Sequence, residues 1–186
     1  LVSRRGAPPA AAARRVERRP TVTAAMLLEA GHVDAAICGG SGDWWQHMTY
    51  VMPIIERRPG IDRIHALSAL ITREGVLFIC DTHMNPDPTA EQIAEMTRLA
   101  ADTVRGFGLE PKAALLSHSS FGASNSPSAR KMRQALALLR VQAPELEVDG
   151  EMHADAALLE YQRNRLVSDS RLKGAANLLV MPNLDA

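Results

Sequence analysis

Apolar positions in this chain fall into two alternating rhythms, one of helical period and one of short continuous runs. The clearest helical stretch follows Thr89. Ile93, Met96, Leu99, Ala100 and Val104 recur at three- and four-residue spacing and predict an amphipathic helix to about Gly106. Thr89 is placed to cap it, with Gln92 completing a capping box. Residues 113–117 read as a short buried strand. Pro127 then opens a helix carrying Met132, Ala135, Leu136 and Leu139, because a first-turn proline loses no helical bond. Residues 146–148 start a strand that Asp149-Gly150-Glu151 is expected to turn. Asp155 opens a further helix, and residues 177–181 form the last strand.

The upstream half reads in the same way. Residues 1–20 are rich in Arg, Ala and Pro and read as a loop leading into a helix. Thr21 or Thr23 caps that helix, which runs to about Ala30 and stops near Gly31. Residues 33–40 look like a short buried strand ending in a glycine turn, followed by a helix over 44–57 that Pro59-Gly60 ends. Residues 64–72 and 76–80 predict a hairpin about Arg73-Glu74-Gly75. Helices alternating with strands argue for a three-layer α/β/α sheet, to which the hairpin adds an antiparallel piece. Ligands on such sheets bind beyond the carboxyl ends of strands.

Charge narrows the function classes. The chain of 186 residues carries 21 basic and 21 acidic side chains, so no global field gathers nucleic acid or an anionic membrane. No apolar run approaches the roughly 18–20 residues that cross a bilayer, and no signal peptide is legible. Cys38 and Cys80 sit in apolar runs and read as buried free thiols, which points to a reducing, cytoplasmic setting. A first residue that is not Met, and an end just after an apolar strand, suggest a piece of a longer protein.

The strongest candidate site is the segment 117–131. A strand leads into a loop of hydroxyls and glycine, then into a helix start whose free amides can hold an anion. Ser117, Ser119, Gly122, Ser124, Ser126 and Arg130 are the candidate ligand-binding residues there. The alternative is a capped helix on a solvated loop. Gly39, Gly40 and Gly42 allow close backbone approach to a ligand. Asp149, Glu151, His153 and Asp155 form a second-tier cluster, suited either to acid–base work or to turn and cap chemistry. The six histidines make no metal-binding spacing. Met26, Met48, Met52, Met96 and Met132 read as core fillers, and one of Trp44 and Trp45 as packing inward. Arg14, Arg15, Arg18 and Arg19 read as a solvated face or a phosphate clamp.

Pro59-Gly60-Ile61, Asp149-Gly150-Glu151 followed by Asp155-Ala156-Ala157, and Gly174 with residues 177–182 together resemble the phosphate acetyl/butyryl transferase family. The similarity runs from about Arg14 to Ala186. It is closest to the C-terminal module of bacterial NADP-dependent malic enzymes, through Leu116-Ser117-His118-Ser119, Ser126-Pro127-Ser128-Ala129-Arg130-Lys131-Met132 and Ser170-Arg171-Leu172-Lys173-Gly174. The resemblance implies an α/β sheet of the phosphotransacetylase type, related to isocitrate/isopropylmalate dehydrogenases. Residues 1–45 would end a first subdomain, 46–175 would form a second, and 176–186 would return to the first. It also implies acetyl-CoA as ligand and a homo-oligomer, a dimer or a dimer-based hexamer or octamer. The role implied is a regulatory and oligomerising one, with active phosphate acetyltransfer or a purely structural role as alternatives. NADP and Mg or Mn would belong to an upstream domain. The family's catalytic serine-arginine pair and aspartate would fall beyond Ala186, and Arg18 or Arg19 would supply a cleft arginine.

Overall fold

The computed structural model describes residue 6, residues 8–61 and residues 63–186. Part of the loop expected over 1–20, and the side chain of Arg15, lie outside the described residues. Two compact units divide the chain between Ile64 and His65.

The first unit holds helices α1 (Pro9–Arg18), α2 (Pro20–Glu29) and α3 (Trp44–Val51). The expected loop is largely helix, since Ala-rich sequence favours helix and Pro9 sits harmlessly in its first turn. Pro20 then forces its predecessor Arg19 into an extended conformation, φ −135° and ψ 92°, and so splits α1 from α2. Neither threonine caps α2. Thr23 donates to the Val16 carbonyl at 2.7 Å, and Thr21 Oγ1 lies 2.7 Å from His47 Nδ1. Helix α3 ends six residues early because Pro53 has no amide to continue it. Val22, Ala25 and Ile54 form a small core with Val16 and Tyr50 packed against it, and the Arg19 guanidinium lies 4.5 Å above the Tyr50 ring.

The strand expected at 33–40 does not form. No strand among the described residues pairs with this segment, and all eight residues are exposed, Ile37 at 99%. A lone apolar run has no ladder to join. Cys38 is consequently exposed, while Cys80 is buried as expected.

The second unit is built on a five-stranded sheet in the order β1-β2-β5-β3-β4. Its strands are β1 (Leu67–Thr72), β2 (Gly75–Cys80), β3 (Lys112–Leu116), β4 (Glu147–Met152) and β5 (Leu178–Val180). β1 and β2 form the predicted antiparallel hairpin, Thr72 opposite Gly75, and every other pairing is parallel. The last strand therefore lies at the centre of this sheet.

Side-chain alternation along the central strands separates two cores. Ala113, Leu115, Leu178 and Val180 face α4 (Ala90–Gly106) and α5 (Pro127–Gln142), where they meet Ile93, Met96, Val104, Met132 and Leu139. Ala114, Leu116 and Leu179 face the opposite side, with Ala156 and Ala157 of α6 (Ala154–Leu158) and Leu172. Covering both faces is why these strands read as continuous apolar runs. The predicted three layers follow. Met96 and Met132 are fully buried as expected, whereas Met52 is exposed, and Trp44 and Trp45 remain 40% and 50% exposed in an edge-to-face pair. No helix among the described residues is long and apolar enough to cross a membrane.

Asp149-Gly150-Glu151 is no turn. It lies inside β4, where Leu115 pairs with Gly150 and Leu116 with Met152, leaving Glu151 as the extra residue of a bulge. Gly150 has φ +149°, and a Cβ there would stand 2.7 Å from the Leu115 carbonyl oxygen. Glycine at this position thus marks close strand approach, not chain reversal. The bulge also explains how Val148 and Met152, four residues apart, enter opposite cores.

Candidate functional site

The loop after β3 and the bulge of β4 lie at the carboxyl ends of neighbouring parallel strands, and one carboxylate joins them. Glu151 is fully buried. Its Oε1 accepts from Ser119 Oγ at 2.8 Å, from the Gly122 amide at 3.0 Å and from Arg133 Nη1 at 2.8 Å. Ser119 Oγ in turn accepts the Ser124 amide at 2.9 Å, and the Phe121 amide donates to the Glu151 carbonyl at 2.7 Å. Phe121 holds φ +48°, unusual for a residue with a side chain, so the surrounding bonds over-determine the loop. Arg133 Nη1 also donates to the Ser124 carbonyl at 3.0 Å, tying the loop to α5.

The helix start matches its sequence signals. Ser126 caps α5 by accepting the Ala129 amide, and its Oγ lies 3.1 Å from His118 Nε2. Ser117 Oγ accepts the Ser119 amide at 3.2 Å. Of the loop residues predicted for ligand contact, Ser119 and Ser124 line a cleft of about 600 Å³, while Ser117, Gly122 and Ser126 are not among its lining residues. Arg130 is exposed and absent from the lining. The neighbouring Lys131 pairs with Asp87.

The rest of the cleft combines residues of the two marked segments with two that spacing left unmarked, Gln162 and Arg165. His118 and Ser120 belong to the loop, His153 and Asp155 to the start of α6, and Gln162 and Arg165 to α7 (Glu160–Leu166). Ser120 Oγ accepts the His153 amide at 3.2 Å and so joins the loop to α6. Asp155 does not cap α6, whose N-cap is His153; it accepts the adjacent Ala156 amide at 2.7 Å and lines the cleft. A fully buried Arg163 holds α7 in place. It donates to the carbonyls of Ala156 at 2.9 Å, Leu172 at 3.1 Å and Gly174 at 2.6 Å. Its signal in the sequence is weak, because its acceptors become neighbours only through folding.

Asp149 is a structural anchor. Its Oδ2 accepts from Ser170 Oγ at 2.7 Å and from the Arg171 amide at 3.0 Å, and Arg140 lies 3.4 Å from Oδ1. Glu151 and Asp149 are thus engaged within the protein, and His153 does not share the burial of Glu151. Among the described residues no group of three or more His, Cys, Asp or Glu side chains could hold a metal ion. Asp81, beyond the end of β2, is buried, which by itself would raise its pKa. Hydrogen bonds from the His83, Met84 and Ala66 amides and from the Asn85 side chain outweigh that and hold it below its ordinary value. Burial, reinforced by Asp81, pushes the Cys80 thiol up to about 12.

Gly39, Gly40, Gly42 and Arg18 belong to the first unit. Gly39 and Gly42 take positive φ, +103° and +88°, and Arg18 is exposed.

Residues 1–186 match the sequence profile described as phosphate acetyl/butaryl transferase. The NADP-dependent malic enzyme of Escherichia coli is 50% identical over 186 residues, which is 100% of this chain and 24% of that protein. The NAD-dependent malic enzyme of Rhizobium meliloti is likewise 50% identical over 186 residues and 24% of its length. The chain therefore spans about a quarter of the length of these curated relatives. The EutD phosphotransacetylase of Staphylococcus aureus superposes with a TM-score of 0.82 at 28% identity, covering 100% of this chain and 58% of that one.

Proposed function

The chain belongs to the phosphate acetyl/butaryl transferase family, and from that premise we propose that it is the phosphotransacetylase-like portion of a malic enzyme and binds acetyl-coenzyme A as an effector. The observation that carries this reading is the 50% identity to malic enzymes along the whole chain. The parent would oxidise and decarboxylate malate to pyruvate with NADP and a divalent metal. No residue here is assigned to either. Relatives of equal identity are named for NADP and for NAD, which fits a nucleotide read outside this portion.

The cleft at the carboxyl ends of β3 and β4 supports ligand binding by its position and lining. Binding there would regulate only if acetyl-coenzyme A prefers one state of a homo-oligomer, a dimer or an assembly of dimers, over another. The role of this chain's residues is to bind and orient. Glu151 and Arg133 fix the loop, and Ser119, Ser124, His118 and Arg165 present polar groups to the acyl carrier.

The test is malate oxidation by the parent enzyme with and without acetyl-coenzyme A, alongside an assay for acetyl phosphate formation. A change in malate oxidation without acetyl transfer is the expected result. Acetyl phosphate formation at enzymatic rates would instead favour the second reading, active acetyltransfer between coenzyme A and phosphate, to which the 0.82 TM-score with a phosphotransacetylase lends support.

A further inference from the structure

Four ionisable side chains face the cleft among the described residues, and they come from three separate segments. His118 projects from the loop after β3, His153 and Asp155 from the start of α6, and Arg165 from α7. Arg165 and Asp155 cancel in formal charge, so the sign of the wall is set by the two imidazoles. Glu151, on the adjoining strand, is already paired with Arg133 and contributes no free charge. Imidazole is the side chain that gains or loses its charge between about pH 5 and 8. Each imidazole that takes a proton adds one positive charge to the wall.

All four side chains belong to exposed residues, and His153 occupies the N-cap of α6 without a side-chain capping bond. None holds the core, although His118 Nε2 lies 3.1 Å from Ser126 Oγ and Asp155 accepts the Ala156 amide. Arg165 adds a planar fork of donors, the geometry that matches a phosphoryl group. Arg130, at the more obvious position beside the start of α5, faces solvent.

Resting on the reading that the cleft takes an acyl-coenzyme A, we infer that Arg165, His118 and His153 together, and not Arg130, anchor its phosphate groups, with protonation of the two histidines setting the affinity. The phosphoryl group is the shared chemistry, whether it belongs to the carrier or to free phosphate.

The experiment is titration calorimetry of the full chain with acetyl-coenzyme A, and separately with inorganic phosphate, at about pH 6 and about pH 8. Four proteins are compared: unsubstituted, Arg165→Gln, the double variant His118→Gln with His153→Gln, and Arg130→Gln. A phosphate monoester itself ionises near pH 6, so the comparison is between proteins at each pH. One opposite charge within reach is worth about tenfold in affinity. The unsubstituted chain should bind acetyl-coenzyme A about tenfold or more tightly than the double variant at the lower pH, and nearly equally at the higher. Arg165→Gln should weaken binding about tenfold at both, and Arg130→Gln should change nothing. A ratio that does not vary with pH, or a larger loss from Arg130→Gln than from Arg165→Gln, overturns the inference and leaves the acyl-coenzyme A reading standing. Phosphate binding with the expected dependence, but no acetyl-coenzyme A binding, supports the anion site and removes that reading. No binding of either overturns both.

Discussion

Replacing Glu151 with Ala removes the acceptor on which the cleft loop is hung. Three donors converge on Oε1, from Ser119, Gly122 and Arg133. Bonds to a charged group contribute about 1.5–3 kcal/mol each. The gross figure must be discounted, because the Arg133 side chain is 32% exposed and turns to water once released. The buried Ser119 hydroxyl has no such escape. Removing one partner of a buried ion pair costs about 3–5 kcal/mol, and that is the loss expected here. Urea unfolding of the full chain followed by circular dichroism reads it directly. A cycle with Arg133→Ala should give a coupling of about 1–3 kcal/mol. Amide exchange should quicken first at Gly122 and Ser124, whose amides depend on Glu151 directly or through Ser119. A loss under about 1 kcal/mol, with unchanged exchange at those amides, would refute the argument that this carboxylate organises the loop.

Three further predictions follow from the same geometry. Gly150→Ala should cost about 3 kcal/mol or more in the same unfolding assay, since its Cβ would meet the Leu115 carbonyl at 2.7 Å with φ at +149°; a neutral result would exclude the bulge. Asp81 has a folded pKa below its unfolded value of about 3.9, so its stabilisation is complete above that value and is lost as pH falls through the folded one. Asp81→Asn should therefore be less stable at neutral pH and flatten the acid limb of the stability profile, and an unchanged acid limb would contradict it. Cys80 stays a protonated, buried thiol with its pKa near 12, whereas Cys38 is exposed. A disulfide reagent at neutral pH should modify Cys38 alone in the native chain and both after denaturation; rapid native labelling of Cys80 would count against its burial.

The parts of the fold that were legible in the sequence are those decided locally. The capping box of Thr89 and Gln92, the Ser126 cap before Pro127 and the two-residue hairpin turn each depend on neighbours a few positions away. The parts that were not legible depend on distant partners. Asp149-Gly150-Glu151 has turn-forming composition, and only the register against β3 makes it a bulge. Residues 33–40 have the apolar content of a buried strand, but burial requires a neighbouring strand, and none is described beside them. The site divides along the same line. The hydroxyl loop was visible as a loop before a helix, whereas nothing in the local spacing singled out Arg133, Arg163 or Arg165. Their roles arise from Glu151, from the carbonyls at 156 and 172–174, and from the cleft, all brought to them by the sheet.

The most direct test of the account is hydrogen–deuterium exchange of the full chain with and without saturating acetyl-coenzyme A. Protection concentrated in residues 118–124 and 153–166 is predicted, because those segments build the cleft. Binding with no protection in either segment would place the ligand elsewhere and contradict the site, and the absence of any change across the chain would contradict acetyl-coenzyme A as its ligand.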